Sequence, residues 1–268
     1  MKKLQGLMRV HTPSILVYWK LFLSWLSKNK LTSKDCIWCY KSIPPVDINK
    51  LNSIFLDLDS KDTVKFLQIG ANDGKTNCDP IYEYVIKSNK WRGVLVEPLD
   101  FVFSRLKLNY SSRSDLIFEN AAISDDQSEK IFYYVSSDIK RHMPKIKNAT
   151  GLNGFNKDNI VRYHGKEIEP HIKSQVFKTI TIKELISKHK INQLDILLID
   201  VEGHEWEVIK SLSLKELTPE IIFIEHQCLT FINTYKVINK LIPYYNILMS
   251  GGDLIGILKQ QRIANYSS

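Results

Sequence analysis

The chain has 268 residues, 44% hydrophobic and 25% charged, the balance of an ordinary globular protein able to bury one large core. Its formal charge of +8 is concentrated at one end, because residues 1–50 hold nine Lys and Arg against two acids and the rest is nearly neutral. A neutral body excludes a groove that tracks a phosphate backbone, which needs several cations acting together; the expected partner is a small molecule or glycan, and no nucleic acid.

Residues 1–52 read as a basic amphipathic segment and linker, followed by a catalytic domain over 53–268. The apolar run Ile15–Leu26 is twelve residues long and interrupted by Lys20, short of the roughly 20 residues that a spanning helix needs. On a helical wheel Lys20, Ser24, Ser27 and Lys28 form a polar stripe, leaving Trp19, Phe22, Trp25 and Leu26 to other faces. Two readings of 1–34 stand: an interfacial helix drawn to anionic lipid at the inner face of the membrane, or a helix packed on the domain or on a second subunit. No clear small-residue cleavage site follows the run, and four scattered cysteines suit a reducing compartment, so the expected location is cytoplasmic. Cys36 and Cys39 form a lone CxxC, either half of a metal or redox site or two small residues of a linker.

After Pro44-Pro45 short β-branched runs alternate with helical stretches, the pattern of a parallel sheet covered on both faces. The expected order is a strand at 64–69, a helix capped by Asp79-Pro80 and running to about 89, a strand at 93–97, a helix at 101–109 and a strand at 116–119. A further strand at 131–135 leads into a stretch, 136–178, that reads as irregular and is expected to cover the substrate. Regular structure resumes with a helix at 182–189, a strand at 195–200, a helix opening near Glu205 and a strand at 221–225. Two last strand-like runs, 244–249 and 254–259, flank Ser250-Gly251-Gly252-Asp253 and predict an antiparallel hairpin.

The first strand runs into Gly70-Ala71-Asn72-Asp73-Gly74, a turn where glycine lets a cofactor approach the backbone. Glu97 closes the second strand, placed to accept hydrogen bonds from ribose hydroxyls, and Asn120-Ala121 closes the third. The spacing is not GxGxxG, and Asp73 would repel a pyrophosphate, which disfavours a nicotinamide oxidoreductase. S-adenosylmethionine carries no phosphate and has a cationic sulfonium, so an acid nearby suits it. The bland alternative is a tight turn that binds nothing.

Four segments, QIGANDG from Gln68, VLVEP from Val94, ENAAIS from Glu119 and LLIDVEGHEWEVI from Leu197, resemble the FkbM-type methyltransferases. The resemblance implies a class I methyltransferase fold, that is, a Rossmann-like, doubly wound, mostly parallel seven-stranded sheet with a C-terminal antiparallel hairpin. It also implies S-adenosylmethionine as donor and O-methylation of a sugar, glycan or natural product. Many related methyltransferases have an acid where this chain has Gln68, whose role is left open.

Transfer to a hydroxyl needs a base, or a metal that lowers the hydroxyl's pKa. Asp200 is the first candidate, with Glu202, His204, Glu225 and His226 as nearby proton acceptors or ligands. Asp200 and Glu202 could instead cap the next helix, His204 could be solvated, and His226 could be a satisfied buried histidine. These acids show no recognisable metal spacing, so a divalent cation such as magnesium stays undecided. A chain that binds the donor without catalysis remains an alternative, and the acidic run at 200–205 weighs against it. His142, Asn153, Phe155, His164 and His171 are candidate acceptor contacts.

Overall fold

The computed structural model describes residues 48–76, 79–136, 139, 143 and 153–259. The expected amphipathic segment, the CxxC and His142 lie outside the described residues. No helix among those described is long and apolar enough to cross a membrane.

A seven-stranded sheet forms the centre, built from β1 (Val64–Ile69), β2 (Trp91–Val96), β3 (Ile117–Glu119), β7 (Ile196–Ile199), β8 (Ile221–Glu225), β9 (Tyr245–Ser250) and β10 (Asp253–Leu258), in the order β3-β2-β1-β7-β8-β10-β9. Pairing is parallel from β3 to β8, and β10 alone runs against its neighbours β8 and β9. This is the doubly wound class I methyltransferase sheet, and its terminal hairpin sits where the Gly251-Gly252 turn predicts.

Central strands are apolar along their whole length because both faces are covered, and successive side chains go to opposite sides. Leu67, Ile69, Leu197, Ile199, Ile222 and Ile224 enter one core with α5 (Ile182–Lys188), α6 (Glu205–Lys210) and α7 (Phe231–Leu241). Val64, Phe66, Ile196, Leu198, Ile221 and Phe223 enter the other, under α1 (Ile48–Asp59), α2 (Tyr82–Lys87) and α3 (Asp100–Asn109). Each such side chain contributes roughly 1.5–3 kcal/mol by leaving water. The second core is also pinned by polar groups. Trp91 Nε1 donates to Asp59 Oδ1 at 2.8 Å, and buried Arg113 donates to the carbonyls of Val85, Ser88 and Trp91.

The stretch expected to be irregular is partly regular. It contains α4 (Lys157–His164), a 3₁₀ turn (Lys166–His171) and the start of β6 (Ile172–Thr181). Strand β6 joins β4 (Ala122–Ser124) and β5 (Glu129–Val135) in a separate sheet of order β4-β6-β5. Half of β6 is exposed and only Thr179 is buried, so its apolar alternation is faint and its sequence reads as loop. Helix α4 has an Asn156 cap that accepts the Asp158 N–H, and a four-residue core of Val135, Ile139, Ile160 and Ile168 beneath it.

One contact fixes how the central strands end. Gly70 has φ 82°, and a Cβ there would lie 1.7 Å from the Asp200 carbonyl oxygen, a backbone atom that cannot yield. Gly251 also has positive φ, 56°, but a Cβ there would meet nothing within 4 Å. Gly251→Ala is therefore expected to cost about 1–2 kcal/mol, the left-handed penalty alone. Gly70→Ala is expected to cost more than about 4 kcal/mol in urea unfolding; equal losses in the two variants would show that the close approach to Asp200 is unimportant.

Candidate functional site

The strand order reverses between β1 and β7, and in an open α/β sheet that switch point leaves a crevice beyond the carboxyl ends of the strands. A cavity of about 710 Å³ lies there. Its floor comes from the ends of β1, β2, β7 and β8, and α4 supplies part of its wall through Asn159, Arg162 and Tyr163.

On the β1–β2 side the residues expected to hold a cofactor divide into two groups. Gly70, Ala71, Asn72, Glu97 and Ala121 line the cavity. Gly70 and Ala71 both donate their N–H to the Val96 carbonyl, which folds the turn over the end of β2. Glu97 accepts the N–H of Asn72 at 3.2 Å and of Leu99 at 3.0 Å. Burial pushes its carboxyl up to about 7.

Asp73, Gly74 and Asn120 support this turn from outside the cavity wall. Asp73 accepts the N–H groups of Lys75 and Thr76 at 3.0 and 2.8 Å, so its carboxylate faces its own loop. Gly74 makes room for Tyr110 and Leu106, and Asn120 Nδ2 clips the carbonyls of Glu97 and Pro98 at 3.0 Å each. Both glycines have positive φ, 82° and 69°, and packing adds a second reason for them, since a Cβ at Gly70 would strike the Asp200 backbone and one at Gly74 the Tyr110 and Leu106 side chains.

On the β7–β8 side Asp200, Glu202 and Glu225 line the cavity as expected, joined by Asp253 and Asp79. Asp200 is open to the cavity but otherwise walled by protein. That burial, with repulsion from Asp253 and Asp79, pushes its carboxyl up to about 7. Burial and the neighbouring acids push Glu225 up to about 11 and hold Glu202 well above the usual carboxylate range. Burial raises Asp253 to about 6.

The helix cap foreseen for Asp200 or Glu202 is not made: the N-cap position is His204, without a side-chain cap bond, and Glu205 at the first helical position binds the preceding loop instead. Fully buried Glu205 accepts the N–H of Val201 and of Gly203 at 3.0 Å, and burial pushes its carboxyl up to about 8. Carboxyl or thiol atoms of Asp200, Glu205 and Glu225, and again of Glu202, Glu225 and Cys228, lie within 4.8 Å of one another. Both groupings are compact enough for a cation, but both contain members already committed. Glu205 is held by backbone, and Glu202 Oε2 accepts the Cys228 thiol at 3.2 Å.

Neither histidine candidate lines the cavity. His204 is largely buried against the Phe155 ring, its Nε2 2.9 Å from Ser124 Oγ, and burial lowers it to about 4. It is therefore not the solvated side chain that the sequence allows. His226 is buried and lowered to about 4 by the same cause. Of the candidate acceptor contacts, Asn153 and Phe155 line the cavity, and His164 and His171 do not.

Sequence reasoning missed Asp253 and the place of Asp79 at the cavity wall, and it left the role of Gln68 open. Asp253 meets Glu225 across the β8–β10 ladder, a long-range register that the hairpin turn, which pairs Asp253 with Ser250, does not set. Asp79 does accept the N–H groups of Ile81 and Tyr82, as a cap would, and it also accepts a 2.7 Å bond from Gln68 Nε2 at the end of β1.

No curated protein sequence matches this chain. Two similar solved structures are a crystal structure of a fibrillarin/Nop5p complex and the Methanococcus jannaschii fibrillarin pre-rRNA processing protein. The first has a TM-score of 0.37 and 10% identity, covering 74% of this chain and 73% of that one. The second has a TM-score of 0.36 and 13% identity, covering 74% and 67%. Likeness at that level adds nothing to the topology described above. The family model of the methyltransferase FkbM domain matches residues 68–260, from the end of β1 past the last strand, and the chain belongs to that family.

Proposed function

We propose that this chain transfers a methyl group from S-adenosylmethionine to a hydroxyl of a sugar, glycan or natural product. The observation that carries the reading is Asp200, a carboxyl raised to about 7 and open to the cavity beside the Gly70–Asn72 turn.

The residues present fit this donor. Glu97 spends two acceptor sites on backbone N–H groups and keeps others for ribose hydroxyls. Gln68 Oε1 is a buried acceptor at the cavity wall with no partner among the described residues, suited to a donor group such as an ammonium. The wall holds six acids, which favour a cationic ligand and would repel the pyrophosphate of a dinucleotide.

When bound, the donor supplies an electrophilic methyl on a positively charged sulfur. Asp200 receives the proton that the acceptor hydroxyl gives up as its oxygen gains the methyl and the carbon–sulfur bond breaks. A base must be ionised to act, and Asp200 is about half ionised at pH 7. Glu225, raised to about 11, stays protonated there and offers an O–H donor at the same wall. His204 and His226, lowered to about 4, are weak bases that lie off the wall.

The rate of methyl transfer should rise with pH through an inflection near 7, because ionisation of Asp200 creates the base. Asp200→Asn should lower kcat by about 10²–10⁴ and flatten that profile, while calorimetry with the demethylated donor stays close to wild type. Near-wild-type turnover in this variant would remove Asp200 from the role. Glu97→Gln, by contrast, should weaken binding of the demethylated donor about tenfold, the loss of one hydrogen bond to a charged group.

A further inference from the structure

Among the described residues the cavity wall carries six acids and a single cation, Arg162. A cation beside so many carboxylates is expected to pair with one of them. Arg162 does not: its recorded bond is from Nη2 to the neutral Asn159 Oδ1 at 2.8 Å, and among the described residues it forms no ion pair. Neither Glu202 nor Glu225 is stabilised by it, since their neighbours in charge are other acids. The guanidinium thus keeps most of its five donors for something that the described residues do not supply.

Its position is held. Asn159 is buried and donates through Nδ2 to the carbonyls of Glu202 at 2.9 Å and Cys228 at 3.4 Å, which ties α4 to the ends of β7 and β8. In the sheet β8 is three strands from β2, where Glu97 waits for the ribose. Arg162 thus sits on the element tied to the ends of β7 and β8, away from the β2 end that carries Glu97. The next residue, Tyr163, is 65% exposed and lines the same cavity, which adds an aromatic ring to the wall that carries the guanidinium. Arginine forks grip carboxylates and phosphates with two parallel bonds, and an aromatic face covers the apolar side of a ring.

We propose that Arg162 and Tyr163 anchor the methyl acceptor and select one that bears an anionic group, a carboxylate or a phosphate, on a hydroxylated ring. This rests on the methyltransferase reading above, with Arg162 at the acceptor end of the cavity. The acids nearer the floor face the cationic donor, and the anion of the acceptor stays at the rim.

The test uses calorimetry on the full chain, with and without bound demethylated donor, with three probes: methyl glucoside, methyl glucuronoside and glucose 6-phosphate. Wild type should bind the two anionic probes at least tenfold more tightly than the neutral one, and their ranking tells carboxylate from phosphate. Arg162→Gln should abolish the advantage and leave affinity for the demethylated donor within twofold of wild type. Arg162 is exposed, so this substitution is expected to leave the fold intact. Equal binding of the three probes, or binding of none, overturns the proposal. So does a tenfold loss of donor affinity in Arg162→Gln, which would assign the guanidinium to the donor's own carboxylate. If wild type binds no demethylated donor, the methyltransferase reading fails, and the probes on the unloaded chain still decide whether Arg162 selects anions.

Discussion

The site depends on the closeness of two backbone segments, the turn after β1 and the end of β7. The Asp200 N–H donates to the Ile69 carbonyl at 3.0 Å, and the Asp200 carbonyl oxygen occupies the space that a side chain at position 70 would need. A parallel pair that ends this tightly brings the donor-side turn and the acidic strand end to the same point. Because the chain leaves β1 toward β2 on one side and returns at β7 on the other, the loops diverge and the cavity opens between them. The glycine therefore serves the ligand indirectly, by letting two pieces of protein meet.

Gathering acids in that opening has a cost that sets their chemistry. Two unit charges 4.8 Å apart, the outer limit for Asp200, Glu205 and Glu225, repel by roughly 3–4 kcal/mol at an effective dielectric of 20. Ionising all three together is therefore strongly opposed, and the protons are shared unevenly. Glu205 receives backbone N–H bonds, Glu225 has a buried Oε2 with no partner among the described residues, and Asp200 opens to the cavity. The order of their raised pKa values, about 7 for Asp200, about 8 for Glu205 and about 11 for Glu225, follows from those surroundings. Of the three, the acid that loses its proton nearest neutrality is also the one most open to the cavity.

The sheet was legible in the sequence because its strands are buried on both faces, so that runs such as VKFLQI and IIFIE stand out by composition alone. Both match the expected 64–69 and 221–225 to the residue. Strand β6 and helix α7 were not read, for different reasons. Strand β6 has little buried surface to imprint a period on its sequence, whereas α7 carries local signals, a Thr230 cap and Thr234, Val237, Ile238 and Leu241 on one face, that the reading passed over. At the site, residues carried by strand ends were found, namely Gly70, Glu97, Asp200 and Glu225. Residues brought in by long-range register, such as Asp253 opposite Glu225, or by a separate element, such as Arg162 on α4, carry no local pattern that announces them.

Helix α4 and the DVEGHE loop are one mechanical unit although 38 residues separate Arg162 from Asp200. Glu202 and Gly203 both have positive φ, 56° and 102°, and a non-glycine residue in that region costs about 1–2 kcal/mol. The strain is sustained by bonds from outside the loop, Asn159 Nδ2 to the Glu202 carbonyl and the Cys228 thiol to the Glu202 carboxyl. A Cβ at position 203 would meet Asn159 Nδ2 at 2.3 Å, so the glycine is what lets the helix come so close. The element that presents Arg162 and Tyr163 thus also holds the loop that carries the acids, and neither can shift without disturbing the other.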